Sequence, residues 1–408
     1  MKTVSKKLID FIKNHISQHL PDIPKIRLSS GSRELLVELF HNIQEAEQEF
    51  KTKFDDGSIV EKWLDFENSA IPRGFDFNYS PEIAKVAIEK TAKFGCVFTF
   101  KIHSRNIQIA IVFPTGTKNN SHYCHEKLKH MYMWLYVAMK HASAKCSQNL
   151  NIYLYLTDLK KHFPTSEIVI QQENANTGFT TTCNTTSEIH IYREEEWFKV
   201  LLHETFHNLG LDFSGIDNTK INHCIFAIFP VQTQECFFES YCEMWAEIMN
   251  ILFIAYFTSS SKKIENLLHK SVSMLETEQE FTVLQCAKIL KFFGITYQDL
   301  YETTHHAKEA RANKYKEKTP IFSYYILKCI MMFFLDDYLV WCAKHNHKSI
   351  QFNKNDTNML AYCEFIREHF KNDRFLKSMN AMEAWIKKYG RKHGSDIMRS
   401  LRMTCYEI

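Results

Sequence analysis

The chain has 408 residues, 45% hydrophobic and 24% charged, a balance that fits a folded protein and excludes a disordered or collagen-like one. Its formal charge of +3 is close to neutral, which argues against a dedicated nucleic-acid binder. Only 11 Gly and 8 Pro stand against 32 Phe and 18 Tyr, so a rigid, aromatic core with little linker is expected.

In chain order, Leu8, Phe11, Ile12 and Ile16 recur at helical spacing behind Lys2, Lys6 and Lys7, the pattern of an amphipathic helix rather than a signal peptide. Residues 1–94 read as a helical region without a chemical constellation. Two strands follow at 97–102 and 107–113, then a helix at 122–145, a strand at 150–156 and a short one at 168–170. An Asn- and Thr-rich loop at 174–186 leads to a strand at 188–192. The next helix opens on Glu194, Glu195 and Glu196, acids placed where the helix dipole favours them, and Gly210 ends it. A strongly apolar helix at 235–257 and one or two more across 262–294 come next.

The expected fold class is therefore α+β. A unit at 95–345, with its mixed sheet and motif helix, is flanked by the helical region 1–94 and a helical, basic region 346–408. The longest apolar runs, Ile248–Phe257 and Ile330–Leu335, fall well short of the roughly 20 residues that span a bilayer. Twelve Cys lie scattered with no CxxC pair, which points away from a disulfide framework and towards a reducing, cytoplasmic setting.

The chemistry concentrates in Val200-Leu-Leu-His203-Glu204-Thr-Phe-His207-Asn-Leu-Gly210. On a helix, positions i and i+4 share a face, so both imidazoles can reach one cation, expected to be a single zinc ion per chain. Glu204 is then placed to deprotonate a metal-held water. A catalytic zinc needs a third protein ligand, and a later helix carries Glu235, Glu239, Glu243 and Glu247 at four-residue intervals. Glu239 is the expected ligand, with Ser240 and Cys242 small enough to let the helices approach. Glu243 is the alternative ligand, or else accepts the free ring N–H of a ligating His. The apolar surroundings of these acids demand a buried positive partner.

An HExxH motif followed by Glu-x-x-small-acid on a later helix resembles the gluzincin branch of the zinc metallopeptidases, and the strand order resembles the zincin upper subdomain. More loosely, Leu211-Asp212-Phe213 after the motif resembles uncharacterised metallopeptidase-like proteins of large DNA viruses. The resemblance implies a zincin-like fold and hydrolysis of a peptide or protein substrate. It also implies an edge strand that pairs with substrate, for which Gly178, Phe179 and Thr180 are candidates. An oxyanion-stabilising Tyr, His or Arg is implied as well, with Tyr324 and Tyr325, or His305 and His306, as candidates. The motif half matches the metzincin pattern, but Phe213 stands where that pattern has a ligand, which leaves Asp212 as a lesser alternative.

Each assignment has a plainer competitor. His122, His125 and His130 read as the polar face of a helix, and His190 as an outward residue of a strand. Tyr324 and Tyr325 could be core aromatics. The stretch 367–402 carries ten Lys and Arg against four acids with interleaved aromatics, which is either a solvated face or a nucleic-acid contact. The competing function is a catalytically inactive zincin-fold interaction or assembly module, of viral origin if the looser resemblance holds. An intact Glu204 favours the enzyme.

Overall fold

Leu150, Ile152 and Leu154 alternate with Tyr153 and Tyr155, and both sets are buried, so the strand that carries them sits inside a sheet covered on both faces. The computed structural model describes residues 2–114, 121–166, 169–347, 349–390 and 395–408. Its strands are β1 (Val60–Asp65), β2 (Ala92–Ile102), β3 (Arg105–Pro114), β4 (Asn149–Thr157), β5 (Gly178–Thr180) and β6 (Thr186–Arg193). They form one sheet in the order β1-β2-β3-β4-β6-β5. The β3–β4 and β4–β6 pairings are parallel; β1–β2, β2–β3 and β5–β6 are antiparallel. The class is mixed α+β with a six-stranded mixed sheet.

The β3–β4 crossover contains the backing helix, Ser121–His141. Leu150, Ile152, Leu154, Ile189 and Ile191 join this helix in the main core, while Tyr153, Tyr155 and Tyr192 join Phe77, Ala84 and Ile88 in a smaller one on the opposite face. The motif helix, Trp197–Asn208, lies in the main core with all its residues buried. It packs between the backing helix, where Trp134 stacks on Phe206 at 5.9 Å, and the glutamate helix (Phe238–Thr258), where Phe198 meets Phe253 at 5.5 Å. The stretch 262–294 is one helix, Ile264–Phe293, stopped by Gly294 in the left-handed conformation.

Several expectations change. Strand β1 comes from the region read as helical; its exposed, charge-bearing Val60-Glu-Lys-Trp-Leu-Asp lacks the apolar alternation of a half-buried strand. The sheet thus crosses the division drawn at residue 94, and one hydrophobic cluster runs from Leu8 to Tyr406. Of the strand expected at 168–170, Ile168 lies outside the described residues, and Ile170 makes only an isolated bridge to Glu317. His190 is not outward: it is buried between Tyr153 and Phe179, with Nε2 2.9 Å from Glu188. His130 is likewise a core residue, 4.2 Å from the Phe257 ring, and burial lowers its pKa to about 3.

Two disulfides are present, Cys146–Cys183 and Cys224–Cys363, against the expectation of none. Their partners lie 37 and 139 residues apart, so no local spacing announces them. The cysteine argument for a reducing compartment falls with them. No helix among the described residues is long and apolar enough to cross a membrane.

Candidate metal centre

Glu196 precedes the motif helix with φ at 57°, a left-handed turn that swings the chain from β6 into the helix. Two of the three acids expected to serve the helix dipole, Glu195 and Glu196, do something else. Glu196 Oε1 accepts from the backbone N–H groups of Met403 and Thr404, and Oε2 pairs with Lys161 at 2.7 Å. Glu195 accepts from the Lys161 N–H and faces Arg402. These buried acids dock the segment Leu401–Glu407 onto the start of the helix. At the other end Gly210 takes φ at 61°, and the Leu211 N–H bonds back to the Phe206 carbonyl, closing the helix.

Between these ends, His203 and His207 turn the same way. Their Nε2 atoms lie 3.1 Å apart, and Glu239 Oε2 lies 2.9 Å from the first and 3.2 Å from the second. The far nitrogen of each ring meets its own acid. His203 Nδ1 is 3.0 Å from Glu243 Oε1, and His207 Nδ1 is 2.5 Å from Asp212 Oδ2. With a proton on each Nδ1, both Nε2 lone pairs and a carboxylate oxygen are aimed at one point. The crowding of two ring nitrogens and a carboxylate oxygen around one point suits a cation, either a proton on Nε2 or a metal ion. A tetrahedral ion with ligands at about 2.0–2.2 Å spaces them roughly 3.3–3.5 Å apart, close to the triangle seen here. Two nitrogens and one carboxylate oxygen are a donor set that fits zinc.

Glu239 therefore sits at the third corner, and Glu243 behind His203. The buried positive partners that the acids require are Lys199, which pairs with Glu243, and Lys328, which is 2.7 Å from Glu247 and 3.5 Å from Glu243. Asp212 serves His207 rather than the convergence point. A second possible donor group, His207, Asp212 and Cys242, shares that histidine through its other nitrogen. Burial keeps the Cys242 thiol protonated, and it donates to Asp212 at 3.3 Å, which suits a supporting hydrogen bond.

Electrostatics follow from this packing. Burial opposes charge on Glu239, yet His207 and His203 hold its pKa down, at about 2. Burial likewise opposes charge on both imidazoles, and the surrounding acids outweigh it, raising His203 and, more strongly, His207. Glu204 differs: burial raises its pKa, and the two imidazoles offset this only in part. A carboxyl poised upward beside a metal-type triad suits proton transfer.

Edge strand β5 crosses over Glu204. A Cβ on Gly178 would lie 2.7 Å from the His190 carbonyl and 3.3 Å from Glu204 Cγ, so only glycine permits this approach. Asn208 Nδ2 donates to Thr180 Oγ1 at 2.9 Å, fixing the strand to the helix, whereas Phe179 faces the opposite side against His190. Tyr324, on a π-helical turn at Phe322–Leu327, places its ring 5.9 Å from that of His203. Gly178, His203, Glu204, Glu243, Tyr324 and Met403 are among the residues lining a cavity of about 20 Å³, room for a water molecule.

Other candidates are not brought here. The Tyr325 hydroxyl donates to the Leu401 carbonyl, a tie to the docked segment. His305 and His306 stand exposed beside Glu309 and Asp299. In the basic stretch 367–402, Phe375 and Trp385 are buried and Arg402 is sequestered by Glu407, so these groups are closed to bases or phosphates. Sequence reasoning missed Lys161, Lys199 and Met403. Only Lys199 left a signal: a lone cation one turn before His203 in an otherwise apolar lead-in. No family model, curated protein or solved structure matches the chain.

Proposed function

We propose that the chain is a zinc-dependent, zincin-like metallopeptidase in which His203, His207 and Glu239 hold the ion and Glu204 is the general base. The observation that supports this most is the meeting of both Nε2 atoms and Glu239 Oε2 within 3.2 Å, each ring backed by a separate acid. Bound zinc supplies Lewis acidity towards a carbonyl oxygen and lowers the pKa of a coordinated water. Glu204 takes a proton from the attacking water and passes it to the leaving amine. In this reading Tyr324, whose ring lies 5.9 Å from that of His203, donates to the oxyanion. Gly178, Phe179 and Thr180 offer a sheet edge on which an extended peptide can pair, above Glu204.

The test is hydrolysis of a denatured-protein mixture by the zinc-loaded chain, read by mass spectrometry, with Glu204→Gln in parallel. Cleavage that stops in Glu204→Gln while zinc is retained supports the reading; unchanged cleavage in that variant ends it. A second reading, a module kept for interaction, is favoured by one observation: His203, Glu204 and His207 are each less than 10% exposed. Zinc retention without hydrolysis of any peptide would select it.

A further inference from the structure

The sheet ends on β5, and among the described residues no strand pairs with its outer edge. Beside that edge lies a second, larger cavity of about 430 Å³. Asn176 and Gly178 line both this cavity and the one at Glu204, so the two adjoin. It opens on the far face of the sheet from the motif helix, because Phe179 and Tyr192 belong to that face.

Its chemistry is one-sided. Tyr79, Phe179 and Tyr192 supply aromatic wall, and Asp76 is the one charged residue among the described residues that line it. Asp76 Oδ2 is buried and has no hydrogen-bond donor there. The neighbouring Glu188 carboxylate is committed to His190 and to the backbone N–H groups of Phe75 and Asp76, and among the described residues Asp76 makes no ion pair, His190 being the titratable cation that acts on it. Tyr79 is exposed, and so are Phe75, Ile83 and Val86, which lie within seven residues of it in the chain.

A peptide added to a sheet edge turns successive side chains to opposite faces. On β5, one residue faces the motif helix and the next falls towards this cavity. Resting on the peptidase reading above, we propose that the cavity is a substrate subsite that receives a basic side chain, Lys or Arg, at a fixed position beside the scissile bond. The carboxylate of Asp76 meets the cationic end, and the aromatic walls cover the stem and add cation–π attraction.

The experiment uses zinc-loaded full-length protein and peptides that differ only by Lys or norleucine at each position around one cleavage site. The expected result is one position at which Lys raises kcat/KM tenfold or more, a preference that drops at least tenfold in Asp76→Asn. Tyr79→Ala, at an exposed position, is expected to weaken the preference less. Binding of the same pairs to Glu204→Gln protein, read by fluorescence anisotropy, is expected to show the same ratio without turnover. Cleavage with no basic preference, or a preference unchanged in Asp76→Asn, overturns the subsite and leaves the peptidase reading standing. Selective binding without hydrolysis by the parent overturns the peptidase reading and keeps the pocket. Neither hydrolysis nor binding overturns both.

Discussion

The Nε2 atoms of His203 and His207 lie 3.1 Å apart, while the Nδ1 atoms of the same rings face Glu243 and Asp212. Two ring nitrogens that approach this closely beside a carboxylate oxygen call for something positive between them, a proton or a metal ion. About one zinc per chain is therefore expected by elemental analysis, lost in His203→Ala, His207→Ala and Glu239→Ala. Glu243→Gln should retain zinc with affinity reduced about 10–100-fold, since it alters the support of His203, and should also lower stability, since it removes the charge that pairs with buried Lys199 and Lys328. Zinc retained in Glu239→Ala and lost in Glu243→Gln would exchange the roles of the two glutamates.

Burial raises the Glu204 pKa and the imidazoles offset this only in part, so a neutral amide at this position should not cost the fold. Glu204→Gln is expected to fold, to keep its metal and to lose about 10²–10⁴-fold in kcat. Steady-state kinetics beside a metal assay would show it. A loss confined to KM would contradict a role in proton transfer.

The adjacent tyrosines should separate cleanly. Tyr324→Phe is expected to lower kcat by roughly 10–10³-fold with little change in melting temperature. Tyr325→Phe, which loses the bond to Leu401, should cost about 1 kcal/mol of stability and leave kcat nearly unchanged. Equal kinetic effects in both variants would remove Tyr324 from the reaction.

Glu196 carries a pH signature. Burial alone would raise its pKa, but Lys161, Arg402 and Lys199 pull it down to about 2 from 4.5. A carboxylate depressed in the folded state contributes stability that is complete above about pH 4.5 and is lost as pH falls towards 2. Urea unfolding should show Glu196→Gln much less stable than the parent at pH 6, by about 3 kcal/mol, and the gap should narrow at pH 3. A gap that stays constant with pH would place the cost in shape rather than charge.

The disulfide Cys224–Cys363 closes a loop of 139 residues between two helices. In the chain-entropy account, Cys224→Ser with Cys363→Ser should cost about 2–5 kcal/mol, seen as a lower melting temperature. If reductant leaves the parent's melting curve unmoved, the bond does not form in solution.

Much of the centre was legible because it is local. His203, Glu204 and His207 share one helix face by spacing alone, and Glu239 and Glu243 share another. The order of strands β2, β3, β4 and β6 was legible from apolar alternation. What escaped was non-local. Strand β1 is a half-exposed edge in which Trp63 alone packs on the main core, too little apolar alternation to announce its pairing to β2. Glu194 to Glu196 look like helix-dipole acids in sequence; only the fold brings residues 402–404 against Glu195 and Glu196. Lys328 lies 85 residues from Glu243, and nothing in either neighbourhood predicts their meeting. The burial of His190 depends on Phe179, which a three-residue strand delivers from a loop-like sequence.

The docking of Met403 and Thr404 on Glu196 spans 207 and 208 residues. At synthesis rates of about 5–20 residues per second, roughly 10–40 s separate the emergence of the helix start from that of the segment that seats it. During that interval the motif histidines exist on a nascent helix that lacks its buried partner for Glu196 and the Met403 wall of its cavity. Competence would arrive late and all at once, so a chain interrupted on the ribosome before Met403 would carry the motif without a finished site.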